Sequence, residues 1–439
     1  MRAMFDVFLR SRQALLLMAL ALYLPLLQAA APIEHWQQPS GARVYLVRSP
    51  SIPMLDVQID FDAGLRREPG QKVGLVSAMA ELLGKGIRGY GSEPALDENQ
   101  VSEAWVDLGA SFGASASADR LSFSLRSLTE PELLGKAVAL AARQMADPAF
   151  PEPVWQRVRQ RYIADLKESY TRPASVAGRQ FVKAVYGDHP YGHEMSEATL
   201  QQISTDDMRG FYLGHVGACR ARVSLVGAVD RAQADALVRQ LLARLPEQAC
   251  RSGQTLRPVP EVAPLAKAVE LRIPFQAAQA QVLIGQPGFK RSDPDFFAMT
   301  VGNYILGGGG FVSRLTRQVR EQRGLSYSVF SNFSPGLHAG SFTVGLRTRP
   351  DQADQAVTVV RDVLREARQS LIGSFVLRLD SNARLLDNVA NIAWHDLPLD
   401  YLNTWTAQIE KISAADIQAA FARKLQPERM VTLVLGASP

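Results

Sequence analysis

The side chains that could do chemistry in this chain are few and scattered. A zinc site prefers imidazole or thiolate ligands in a tetrahedral set. The six histidines are His35, His189, His193, His215, His338 and His395, and only His189 and His193 are close in sequence. Pro190 and Gly192 make that segment a loop, so the pair is a poor metal clamp. The two cysteines, Cys219 and Cys250, neighbour no nucleophile or metal motif. In an oxidising compartment the pair favours one disulfide, the alternative being two buried thiols. Ser77 falls in a helical stretch with no strand-to-helix elbow to expose a nucleophile. Arg320 and Tyr327 stand seven positions apart in Arg-Glu-Gln-Arg-Gly-Leu-Ser-Tyr. A fixed cation and a phenol can stabilise an oxyanion, and an Arg also offers donors to peptide carbonyls. Alone, the two residues would read as a surface ion pair and a half-buried Tyr. The run Gly307 to Gly310 is no phosphate loop, because no Lys-Ser/Thr follows it; it reads best as a helix terminator.

Elements able to position these residues can be read from periodicity. Strands alternate at 42–49, 57–64, 120–128, 280–288 and 340–348, and long amphipathic helices span 130–146 and 153–170. The chain is internally repeated. ISTDDMRGFY (203–212) matches ISAADIQAAF (412–421), and each precedes a β-branched strand, VSLVGA (223–228) or VTLVLGA (431–437). The expected fold is α+β: two tandem homologous roll-like domains, each a mostly antiparallel sheet with helices packed on one face. Expected boundaries are 33–250 and 264–439, joined by a Pro-rich linker at 251–263.

Residues 1–31 have the parts of a secretory signal: Arg10 and Arg12, an apolar run from Ala14 to Leu27, then small residues at Ala29 to Ala31. An uncleaved anchor is the alternative. The expected location is a bacterial periplasm. At 47% hydrophobic and 21% charged residues the chain is globular rather than disordered. A net charge of +5, without basic clusters interleaved with aromatics, argues against nucleic-acid binding.

Four segments carry a resemblance. Residues 74–86 (GLVSAMAELLGKG), 186–192 (YGDHPYG), 306–315 (LGGGGFVSRL) and 319–327 (VREQRGLSY) follow the order found in zinc peptidases of the pitrilysin, insulinase and mitochondrial processing peptidase family. The resemblance covers essentially the whole mature chain. In that family a helix bears His-x-x-Glu-His, in which two histidines hold the metal and the glutamate activates water. Here Ser77 and Glu81 take the histidine positions and Ala80 takes the glutamate. Asp165 aligns with the third, glutamate ligand. The resemblance therefore implies a bacterial exported member that is non-catalytic and holds no zinc. It implies that Arg320 and Tyr327 form the family's substrate-binding pair. It also implies a heterodimer in which a homologous partner supplies zinc and this chain closes the chamber on a peptide. The strand at 110–118 (ASFGASASA) aligns with the family's peptide-binding edge strand. The alternative is a non-enzymatic peptide-binding or scaffolding protein.

Overall fold

The computed structural model describes residues 32–251, 255–367 and 381–436. The expected targeting segment at 1–31 and residues 252–254 of the expected linker lie outside them. In chain order the strands are β1 (Glu34–Gln37), β2 (Arg43–Arg48), β3 (Met54–Phe61), β4 (Gly86–Ile87), β5 (Leu96–Asp97), β6 (Ser111–Ala116), β7 (Leu121–Leu128) and β8 (Arg222–Gly227). They continue with β9 (Val269–Ile273), β10 (Ala280–Pro287), β11 (Val329–Phe333), β12 (Ser341–Thr348) and β13 (Val431–Leu435). β4 and β5 pair only with each other.

One sheet runs β1-β2-β8-β3-β7-β6 and the other runs β9-β13-β10-β12-β11. Without β1, the two orders superpose strand for strand. In each, one pair is parallel, β2 with β8 and β9 with β13, and every other pair is antiparallel. The repeated helix starts have a common cause. Ser204 Oγ accepts from the Asp207 N–H at 3.1 Å, and the Ser204 N–H returns a bond to the Asp207 carboxylate at 2.9 Å. Ser413 and Asp416 make the same two bonds at 3.2 and 2.9 Å. Both are capping boxes with Asp in the place usually held by Glu or Gln.

Period-2 alternation places Val44, Leu46, Val57, Ile59, Phe123, Leu125, Val223 and Leu225 in the first core, against Trp155 and neighbouring helices. Val282, Ile284, Phe342, Val344 and Val434 do the same in the second core. The remaining faces are covered as well, and here the fold goes beyond the expectation. The helix Pro173–Tyr186 leaves the first half and lays Ala177, Phe181 and Val185 on Leu283, Val431, Leu433 and Leu435 of the second sheet. In return the helix Asn382–Trp394 lays Leu386, Val389 and Ile392 on Tyr45, Val47 and Val226 of the first. Each sheet is thus covered on one face by its own helices and on the other by a helix of its twin.

Cys219 and Cys250 are joined, with Cα atoms 5.8 Å apart.

Candidate functional site

The helix aligned with the zinc motif spans Leu75–Leu82 and packs against β6 and the helix Glu152–Ser169. Its start is fixed by Gly74, whose φ of +105° suits glycine. It is also fixed by Glu68, whose two carboxylate oxygens accept from the N–H of Val76 at 2.7 Å and of Gly74 at 3.1 Å. Burial pushes the Glu68 carboxyl up to about 7, against the pull of those two donors.

Ser77 and Glu81 are half-buried and Ala80 is buried. Glu81 accepts a hydrogen bond from the Arg161 guanidinium on the packed helix. Arg161 also lies over the Tyr162 ring at 5.3 Å. The Tyr162 phenol reaches the Ser77 carbonyl at 3.5 Å, and burial, then the Glu81 charge, raise its pKa. Asp165, one turn beyond Arg161, is exposed and has no hydrogen bond to Glu81. Among the described residues no cluster of three His, Cys, Asp or Glu side chains could hold a metal. The donor set does not fit zinc: the one inward carboxylate is already neutralised by a guanidinium, which supplies the positive charge a metal would bring. Sequence reasoning named Ser77, Ala80, Glu81 and Asp165 but missed Arg161. Its signal was available as a cation one turn before Asp165 on the same helical face.

This arrangement makes a prediction. With Ser77→His, Ala80→Glu, Glu81→His and Asp165→Glu together, zinc binding stays weak while Arg161 is present. Adding Arg161→Ala tightens it by about tenfold or more, because a fixed cation no longer opposes the metal. A competition titration with a chromophoric chelator reads the difference, and equal affinities would contradict the role given to Arg161.

The His189-Pro-Tyr-Gly segment is a structural turn. The His189 Nδ1 atom accepts from the Tyr191 N–H at 3.1 Å and Nε2 donates to the Pro260 carbonyl at 2.9 Å. Both nitrogens are engaged. The Tyr191 hydroxyl donates to Asp119 at 2.6 Å, and Asp119 accepts from the Leu337 N–H at 3.0 Å, so the turn ties the two halves together.

Arg320 and Tyr327 come together. The Arg320 guanidinium carbon lies 4.6 Å from the Tyr327 ring centroid and 4.8 Å from that of Phe311. Tyr327 is 82% exposed and Phe311 70% exposed. Arg320 has neither hydrogen bond nor ion pair through its side chain among the described residues. The surface ion pair and half-buried Tyr expected of an uninvolved pair are therefore not what is found. Phe311 was missed, since nothing in its neighbourhood marks an aromatic as a partner of an Arg nine positions away. Two π-helical turns, Tyr304–Gly308 and Thr316–Glu321, bracket this region. Such turns recur at functional sites. The glycine run does more than end a helix. A Cβ at Gly307 would sit 2.4 Å from the Ser331 nitrogen, so only glycine lets this turn lie on β11.

The two corresponding sheet ends thus differ: β11 is overlaid by the glycine turn, whereas β6 stands at the end of its sheet with alternate residues exposed. Phe112 anchors β6 by stacking on Trp105 and Phe123 at 5.5 and 5.9 Å.

A seam between the halves holds Arg43, Arg222 and Asp396, with ion pairs of 2.7 and 3.1 Å. Burial, reinforced by nearby Arg291, drives His395 beside it down to about 4. The unfolded chain takes up this proton near pH 6.5 and the folded one does not. Stability is therefore complete above about pH 6.5 and falls as the pH drops toward 4, by roughly 2 to 3 kcal/mol. In His395→Gln that part of the pH profile should flatten in denaturant titrations; an unchanged slope would contradict the assignment.

Two tandem sheets of one strand order, and a helix whose zinc-ligand positions hold Ser77, Ala80 and Glu81, resemble an M16-type peptidase without its catalytic centre. The chain resembles this pitrilysin-type family, and residues 202–373 match the family model described as the peptidase M16 inactive domain. The crystal structure of a peptidase M16 inactive domain from Pseudomonas fluorescens is 29% identical, with a TM-score of 0.84, over 93% of this chain and 98% of that one. An uncharacterized zinc protease of Streptomyces coelicolor is 26% identical over 91% of this chain and 88% of its own length. The non-peptidase homolog YmxG of Helicobacter pylori is 25% identical over 89% and 91% respectively. The periplasmic protease PqqL of Escherichia coli shares the fold at a TM-score of 0.74 and 18% identity, this chain spanning 46% of it.

Proposed function

We propose that this chain is the non-catalytic subunit of a two-chain zinc peptidase acting on peptides in the periplasm. A homologous partner holds the zinc. This chain closes the chamber and presents Arg320 and Tyr327 to the peptide, while β6 offers an open edge for strand addition. The observation that carries the reading is the contrast between the two sites. Glu81 is locked in an ion pair where zinc ligands would stand, whereas Arg320 is stacked by two exposed rings and has no ion pair among the described residues. Periplasmic location is supported by the basic and apolar character of residues 1–31 and by the Cys219–Cys250 bridge.

The test is peptidase activity on a fluorogenic peptide library with zinc, using this chain, a homologous chain with intact His-x-x-Glu-His, and their mixture. Activity should appear, or rise at least tenfold, only in the mixture. A mixture no more active than the intact-motif chain, with no complex by size exclusion, would leave a peptide-binding or scaffolding protein instead.

A further inference from the structure

Tyr327 has a second neighbourhood besides Arg320. It lines a groove of about 620 Å³ whose floor is Leu283, Leu346, Phe330 and Ala177. Glycine makes the floor flat: a Cβ at Gly345 would lie 2.6 Å from the Phe330 ring, which rests on that backbone. The polar lining is Gln279, Gln281, Ser328 and Arg347, so the groove's charged lining residue is a cation. Arg347 is exposed and, like Arg320, has no side-chain hydrogen bond or ion pair among the described residues. Glu321, next to Arg320 in sequence, makes no ion pair with it. Tyr327 thus stacks on Arg320 and lines an apolar groove that also holds Arg347, and neither guanidinium has an ion pair among the described residues.

The stacking sets what Arg320 can bind. Rings at 4.6 and 4.8 Å occupy positions over its guanidinium and leave the N–H donors at its edge. An edge of this kind matches the two oxygens of a carboxylate. We propose, on the reading of Arg320 and Tyr327 as substrate contacts, that the site selects acidic peptides: a Glu or Asp side chain taken by Arg320 and Arg347, beside an apolar side chain in the groove. Phe311 is the positioning residue that holds Arg320 in plane. The charge complementarity of the lining decides for an acidic occupant over a basic one.

The test measures fluorescence anisotropy of labelled peptides on this chain alone. Three amidated peptides carry Leu-Glu, Leu-Gln or Leu-Lys in an otherwise neutral extended sequence, and a fourth carries Leu-Gln with a free carboxyl terminus. The Leu-Glu peptide should bind about tenfold more tightly than the Leu-Gln amide. Arg320→Ala and Arg347→Ala should each erase that preference, and Arg347→Glu should shift it toward Leu-Lys. Phe311→Ala should weaken it although no donor is lost, and Phe311→Trp should restore it. If Arg320→Ala weakens the Glu and Gln peptides equally, Arg320 contacts the peptide backbone: the functional reading stands and the acidic selection is overturned. If the free-acid Gln peptide matches the Glu peptide, the carboxylate read is the chain terminus and the side-chain assignment is overturned. If Arg320→Ala changes no peptide's affinity, both readings fail.

Discussion

Arg320→Ala should lower kcat of the proposed two-chain peptidase by about 10²- to 10³-fold on a peptide free of carboxylates, with KM changing by about twofold or less. The size follows from the charge at stake. Hydrolysis of a peptide bond passes through a tetrahedral oxyanion, and a preorganised donor facing it contributes far more in the transition state than in the ground state. Arg320 is positioned by the Phe311 and Tyr327 rings, which stack on its guanidinium, and has no carboxylate partner among the described residues to give up. Choosing a peptide without carboxylates isolates this effect from acidic-side-chain binding. Tyr327→Phe keeps the ring that holds Arg320 and removes only the hydroxyl, so its loss should be smaller, about tenfold. Steady-state kinetics on the mixture reads both. An effect of Arg320→Ala confined to KM would assign it to ground-state binding and remove it from the chemistry.

Phe181→Ala should cost about 3 to 5 kcal/mol and destabilise both halves together. Phe181 is 3% exposed and belongs by sequence to the first half, yet it packs on Val431, Leu433 and Leu435 of the second sheet. Its loss opens a cavity under the second sheet while loosening a helix anchored in the first. Trp36, Trp105 and Trp155 belong to the first half, while Trp394 and Trp405 belong by sequence to the second and sit in the layer it lays on the first sheet. With fluorinated tryptophan, the five resonances should vanish in a single transition displaced to lower denaturant. Separate transitions, with only the second-half signals displaced, would show that the exchanged helices do not couple the halves.

The strands and the repeat were legible because each sheet is amphipathic in period 2 and both capping boxes recur at one offset, Ser204 with Asp207 and Ser413 with Asp416. The exchange of helices was not. An amphipathic helix such as Pro173–Tyr186 declares that it buries Ala177, Phe181 and Val185 but not on which sheet. At the zinc-like helix the missing ligands could be read directly from Ser77, Ala80 and Glu81. Their replacement by the Arg161 ion pair could not, because it depends on how two helices face each other. Arg320 and Tyr327 stood out only through their resemblance to a known pair. Phe311 depends on a close turn at Gly307 that brings the segment back over β11.

The helix exchange also sets a timetable for synthesis. When residues 34–227 have been made, the first sheet still lacks the cover for Tyr45, Val47 and Val226, because Leu386, Val389 and Ile392 have yet to be added. The early chain must therefore carry an apolar sheet face in water until nearly all of its length exists. Such a chain completes its fold late and all at once, which would suit the export proposed above, since an exported chain crosses a membrane before it becomes compact.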